Sequence, residues 1–204
     1  MKDTTAKYAG AAAGWSEEQY ADPTGYLRHR AELIVSLGPL LEPGDRVLDL
    51  ACGDAGLGDF LRPYEYVGVD ASEEMVHAAR ARGARVELAD LNDYEPPEPV
   101  AVTTCFRAIY YARDRRAFFR RVAGYTEKKL VFDLNPRQYA VDEVRADLAT
   151  AGFNRVALHP FFVPQTRALP QPIAAALRAA EHTGPLARTA LRLRFTYLVA
   201  GSRS

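Results

Sequence analysis

Three aspartates spaced about twenty residues apart carry the clearest chemistry in this sequence. Asp49, Asp70 and Asp90 each stand at the end of a short apolar run: Val47-Leu48-Asp49-Leu50, Tyr66-Val67-Gly68-Val69-Asp70 and Val86-Glu87-Leu88-Ala89-Asp90. A carboxylate accepts two hydrogen bonds at once, so Asp70 suits the paired hydroxyls of a ribose. Asp90 suits an exocyclic amine such as that of adenine, and Asp49 suits an ammonium group. Between the first two lies a turn rich in small residues, Ala51-Cys52-Gly53-Asp54-Ala55-Gly56-Leu57-Gly58. Gly53 and Gly56 would let backbone approach a ligand closely. The helix expected after them would offer free backbone N–H groups to a carboxylate. A pyrophosphate would be repelled by Asp49, whereas an amino acid end would be welcomed. The pattern therefore favours S-adenosylmethionine (SAM) over a dinucleotide. The plain alternative is that the aspartates are helix N-caps, where Asp is common.

Those roles require each aspartate to sit at the carboxyl edge of a strand. Apolar runs alternate with helix-like segments, the pattern of a parallel sheet covered by helices. The spacing predicts strands at 46–50, 66–69, 85–88, 100–106, 129–134, 156–163 and 193–200, and helices at 24–37, 56–61, 73–82, 113–123 and 139–151. The expected fold is α/β and Rossmann-like: a doubly wound, seven-stranded, mostly parallel sheet whose last strand is antiparallel. Ligands in such sheets bind at the carboxyl ends of the strands, near the switch point. One domain is expected over 1–204, with 1–38 as an N-terminal cap and helix and 164–190 as a helical insertion between the last two strands.

On these residues the chain resembles the class I SAM-dependent methyltransferases, over about 24–163 and the final strand. Val47 to Gly56 is similar to that family's first motif, Tyr66 to Ser72 to its second, and Ala89-Asp90-Leu91 to its adenine-binding motif. The resemblance implies that Asp49, Ala51, Cys52, Gly53, Asp70, Ala71 and Asp90 contact SAM. It also implies that Met75 and Leu91 flank the adenine, and that Cys105 and Phe106 end the fourth strand beside the cofactor. S-adenosylhomocysteine would be the product. Ala51 and Ala55 stand where the family commonly has glycine, a small change of residue type. In related small-molecule enzymes an aromatic N-terminal segment covers the cofactor and an arginine before the first strand holds its carboxylate. Tyr20 with Arg28 or Arg30 would serve here, unless these arginines are solvated helix residues.

Methyl transfer from a sulfonium is an in-line displacement from an activated donor, so the protein mainly aligns the nucleophile. A base is needed only if the nucleophile must lose a proton. His159, near the close of the sixth strand, and Tyr110, after the fourth, are the candidate catalytic residues. Trp15, Tyr111 and Arg137 are candidate substrate contacts. Each has a bland alternative: a structural histidine, packed or wet tyrosines, or helix-start chemistry for the arginine. Asn135-Pro136-Arg137 follows the wrong strand for an amino-methylating nucleic-acid motif. Arg113, Arg115, Arg116, Arg120 and Arg121 give a basic helix face that is either solvated or suited to phosphate or a membrane. The insertion carries Ile173, Ala176, Leu177 and Ala180 on one face. It is expected either to close a lid with Tyr8, Trp15 and Tyr20, or to cover the sheet edge.

The 204 residues are 48% apolar and 25% charged, ordinary for one globular domain. Zero net charge argues against generic nucleic-acid binding. The charge is uneven, however: the first 104 residues hold 9 Lys and Arg against 19 Asp and Glu, the last 100 hold 17 against 7. The basic half would suit an anionic acceptor, an anionic membrane surface or the acidic half of the same fold. Two distant cysteines make neither a disulfide framework nor a metal site, and fit a cytoplasmic protein. No leader and no membrane span is visible. The expected partner is a small-molecule acceptor, apolar or anionic, with no nucleic acid; monomer and homodimer both stay open. Two other functions remain. A nicotinamide-dependent oxidoreductase shares this architecture, although residues 53–58 read Gly-x-x-Gly-x-Gly rather than Gly-x-Gly-x-x-Gly. A non-catalytic SAM-binding or membrane-associated module is the other.

Overall fold

The computed structural model describes residues 14–186, 189 and 196–203. Tyr8 and residues 193–195 of the expected last strand lie outside the described residues. Seven strands form one sheet: β1 (Arg46–Leu50), β2 (Glu65–Asp70), β3 (Val86–Leu88), β4 (Val100–Cys105), β5 (Thr126–Leu134), β6 (Arg155–Pro160) and β7 (Tyr197–Ser202), in the order β3-β2-β1-β4-β5-β7-β6. The first five are parallel neighbours, and β7 runs antiparallel between β5 and β6. The order reverses between β1 and β4, which opens a crevice at their carboxyl ends.

Every residue of β4 and β7 is buried, so this sheet needs cover on both faces. On one face lies α2 (Pro23–Ser36), which follows the short α1 (Trp15–Gln19). Asp22 caps α2 by accepting from the Gly25 N–H at 2.9 Å, and Pro23 opens its first turn. Leu27, Ala31 and Ile34 then pack on Val47, Val102, Val131 and Leu198. The buried Lys129 Nζ donates to the carbonyls of Val35 and Leu37 at 3.1 and 2.8 Å, satisfying the helix end. Burial pushes that ammonium down to about 8. On the other face, α4 (Arg115–Tyr125) sets Phe118, Phe119 and Val122 against Leu48, Leu50 and Phe132. Each such side chain contributes roughly 1.5–3 kcal/mol of burial. Helices α3 (Glu73–Ala81) and α5 (Val141–Thr150) complete the crossovers.

Three elements depart from the sequence reading. The helix expected at 56–61 is a 3-10 turn, Gly56–Phe60, pinched between left-handed Ala55 (φ 58) and Pro63. Strand β6 stops at Pro160 rather than continuing to 163, because the Phe162 N–H donates to Glu181 Oε1 at 2.6 Å instead of joining the ladder. The insertion helix, α6 (Gln171–Glu181), does not bury the expected apolar face; Ile173 is half exposed. It docks through its last turn. Glu181 is buried, with its Oε2 at 2.6 Å from His29 Nε2, and Arg178 donates to the Gly25 carbonyl at 3.2 Å.

The arginines around α4 are mostly spent inside the fold. Arg113 pairs with Asp90 and Asp93, and Arg115 and Arg116 both pair with Asp147. Arg121 donates to the carbonyls of Leu91 and Asn92. Much of the basic half thus meets acidic residues and free carbonyls of the same chain. Among the described residues, no helix is long and apolar enough to cross a membrane.

Candidate functional site

A cavity of about 1110 Å³ opens at the carboxyl ends of β1, β2 and β4 and the loop after β3. Its wall includes Trp15, Tyr20, Asp49, Ala51, Cys52, Gly53, Asp70, Ala71, Met75, Asp90, Leu91, Phe106, Tyr110 and Tyr111. The strand ends therefore bring together most of the residues singled out in the sequence.

Asp49 pairs in register with Gly68 of β2 and Thr104 of β4. It is buried, and both its oxygens are engaged: Thr104 Oγ1 donates to Oδ1 at 2.6 Å and the Tyr66 hydroxyl to Oδ2 at 2.8 Å. Burial raises its carboxyl to about 6 against the pull of those donors. Asp70 accepts from the Gly53 N–H at 2.8 Å and the Ser72 N–H at 2.9 Å, so it also ties the first loop to the second. Burial raises its pKa as well. Asp90 Oδ1 accepts from the backbone and side-chain nitrogens of Asn92, both at 2.8 Å, and Oδ2 faces Arg113 at 3.1 Å. None of the three is a helix N-cap. Asp49 lies within a strand, α3 is capped by Ser72, and the turn after β3 leads into no helix.

The loop after β1 is shaped by the N-terminal segment as much as by any ligand. Asp54 is buried and accepts from Ser16 twice, from Oγ at 2.5 Å and from N at 3.0 Å. A β-carbon on Gly56 would come within 2.6 Å of that Ser16 oxygen, so this glycine makes room for α1. A β-carbon on Gly53, which has φ 59, would touch the Trp15 ring at 3.4 Å. Ala51 and Ala55 take φ 57 and 58, conformations in which glycine costs least. The segment is held at its other end too, where the Ala21 N–H donates to the Gln165 carbonyl at 2.9 Å.

Arg30 is the buried cation of the site. It is 2% exposed and lines the cavity, while its Nη2 donates to the Tyr26 hydroxyl at 2.8 Å. Its guanidinium lies over the rings of Phe106 and Tyr26, 4.2 and 4.8 Å from their centroids. Its Nε is buried without a partner among the described residues.

Four expected site residues stand outside the cavity. Arg28 is exposed, with its guanidinium 5.8 Å from the Phe60 ring centroid; two residues from Arg30 on a helix, it faces the other way. Cys105 follows Thr104, which faces Asp49, so strand alternation turns its thiol into the opposite core. Arg137 is exposed beyond β5, where its N–H donates to Asn135 Oδ1 at 3.0 Å. His159 lies on edge strand β6, four strand spacings from β1 and so about 19 Å across the sheet. Its Nδ1 bonds to the Pro160 carbonyl at 2.8 Å, and burial lowers its pKa. Sequence reasoning passed over Ser16, Asp54, Tyr66, Thr104 and Arg107. Only Tyr66 and Thr104 had a signal, since each lies in a strand expected to flank Asp49.

Comparisons with known proteins point the same way as the fold and the cavity. Residues 47–129 match a family model described as a methyltransferase domain. Among solved structures, a chain of the Haloferax volcanii complex that contains the Trm112 methyltransferase activator is 20% identical, with 97% of this chain and 96% of that one covered and a TM-score of 0.68. The magnesium protoporphyrin IX methyltransferase of Synechocystis, crystallised with SAM, is 15% identical over 97% and 88%, with a TM-score of 0.59. A SAM-dependent methyltransferase from Clostridium acetobutylicum is 12% identical over 99% and 100%, with a TM-score of 0.60. The likenesses in structure are likenesses of fold. Residues 47–129, from β1 into β5, thus match a methyltransferase domain, and the chain as a whole shares the fold of solved SAM-dependent methyltransferases. The match marks a methyltransferase domain, and the Synechocystis enzyme that shares its fold holds SAM.

Proposed function

We propose that the cavity holds SAM along the strand ends and a small-molecule acceptor beyond it, the acceptor being apolar or anionic. The residues fit the cofactor chemically. Asp70 stands at the β2 end where it would accept from the ribose hydroxyls, and Asp49 is a buried carboxylate suited to the ammonium. The unpartnered buried Nε of Arg30 would be satisfied by the amino acid carboxylate. Asp90, Leu91 and Met75 are left for the adenine. Arg30 takes the part that Arg28 cannot.

SAM supplies an already activated methyl group, so this chain's task is to align the acceptor and exclude water. Trp15 and Tyr20 would cover the site, with Tyr110 and Tyr111 across from them. Tyr110 is the one hydroxyl among the expected catalytic residues that lines the cavity, and it serves only if the acceptor must lose a proton.

The observation that carries the small-molecule reading is the fastened N-terminal segment. Ser16 on Asp54 at 2.5 Å and Arg82 on Glu17 at 3.1 Å hold α1 against the cavity, leaving a site scaled to small ligands. The likeness to a chain from a Trm112 complex favours a second reading, a partner-dependent enzyme acting on a larger acceptor. Incubating the purified protein with methyl-labelled SAM and fractionated cell extract separates the two. Label in the small-molecule fraction is expected. Label confined to protein or nucleic acid would overturn the first reading in favour of the second.

A further inference from the structure

The chemical groups along the carboxyl edge follow the strand order: Asp90 after β3, Asp70 at β2, Asp49 on β1, then Phe106 and Arg107 after β4. Arg107 lines the cavity on the side away from the adenine end. It has φ 53, a left-handed conformation that a long side chain seldom takes. The turn is held by Asp133 on β5, whose Oδ1 accepts the Arg107 N–H at 2.6 Å. Strained backbone maintained this firmly beside a cavity points to a function for its side chain.

The guanidinium of Arg107 is the unusual part. Among the described residues it makes no hydrogen bond and no ion pair, whereas Arg113, Arg115, Arg116 and Arg121 are all partnered within the fold. Its charge reaches Tyr26, where with Arg30 it opposes the rise that burial causes in the phenol's pKa. Arg107 is thus within electrostatic reach of Tyr26, and the cavity wall it shares with Phe106 and Tyr20 is aromatic. Tyr20 and Tyr26 are stacked there at 4.4 Å between centroids. In the reading above Arg30 is taken by the cofactor, which leaves Arg107 as the cation facing the acceptor.

We infer that Arg107 is a specificity residue that binds an anionic group, a carboxylate or a phosphate, on an aromatic acceptor held against Phe106 and Tyr20. This rests on the cofactor reading, because the acceptor side is defined by where SAM lies. The guanidinium fork would grip either anion with two hydrogen bonds, and the rings would take the planar part.

The test is calorimetric titration of the S-adenosylhomocysteine-saturated protein with phenylacetate, phenyl phosphate and phenethylamine. At least one anion should bind and the amine should not; which anion binds identifies the acceptor's group. Arg107→Gly removes the fork while relieving the positive φ, so the fold should survive. It should weaken the anion about tenfold or more, with S-adenosylhomocysteine affinity changed less than about twofold. Arg107→Lys should recover part of the loss. Equal anion binding by wild type and Arg107→Gly, preference for the amine, or no anion binding at all would overturn the inference. If wild type failed to bind S-adenosylhomocysteine, the cofactor reading itself would fall and take this one with it.

Discussion

Along one edge of the sheet the cavity changes sign. From β3 to β1 it is lined by Asp90, Asp70 and Asp49, each placed by its strand, with Asp54 in the loop after β1. Past β4 it is lined by Arg30, brought in by helix α2, and Arg107, held by a strained turn, while a third lining arginine, Arg113, turns back to pair with Asp90. The acidic side is built by repetition: strand, turn and helix recur, and the residue ending each strand must face the same crevice. The basic side is built by packing between elements far apart in sequence. The first kind of site is a matter of spacing and the second of tertiary contact, so they should fail differently when broken.

The largest effect should come from behind the basic side. Glu181 holds the insertion against His29, one residue from Arg30, and accepts the Phe162 N–H. Glu181→Ala would take the acceptor from the buried His29 Nε2 and from the Phe162 N–H, and should lower unfolding free energy by about 3 kcal/mol in urea titration. Affinity for S-adenosylhomocysteine should change far less, since the acidic side does not rest on α6. An unchanged urea midpoint would show that this cluster is not a structural anchor.

A smaller effect should separate the two sides by pH. Asp49 holds its proton up to about pH 6, and only its ionised form attracts an ammonium. Affinity for S-adenosylhomocysteine should therefore fall as pH drops through about 6, approaching tenfold per unit. Asp70, also raised by burial, acts in the same direction. The sign for stability is opposite. The folded chain binds the Asp49 proton more tightly than the unfolded chain, so this group's contribution weakens as pH rises from its ordinary 3.8 toward 6. Asp49→Asn should flatten the binding profile; an unaltered profile would remove Asp49 from the ammonium site.

The acidic side and the sheet were legible because apolar runs and a twenty-residue repeat survive as pattern. Some of the rest was legible in principle. Leu27, Ala31 and Ile34 set the buried face of α2, and Arg30 falls on it while Arg28 does not. Alternation along β4 likewise turns Cys105 away from the side on which Thr104 meets Asp49. Other features leave no trace in local pattern. That Gly56 makes room for Ser16, that Asp54 anchors α1, and that α6 docks through Glu181 rather than Ile173 all depend on residues 38 or more positions apart. His159 and Arg137 were placed by strand number alone, and the sheet order puts β6 at the far edge.

The most direct measurement is calorimetric titration of wild type and Asp70→Ala with S-adenosylhomocysteine, with NADH as control. The account predicts saturable binding of S-adenosylhomocysteine and none of NADH by wild type. It also predicts that Asp70→Ala loses about 1–3 kcal/mol of affinity as charge-assisted bonds to the ribose disappear. Preferred binding of NADH, or an Asp70→Ala variant with wild-type affinity, would contradict it.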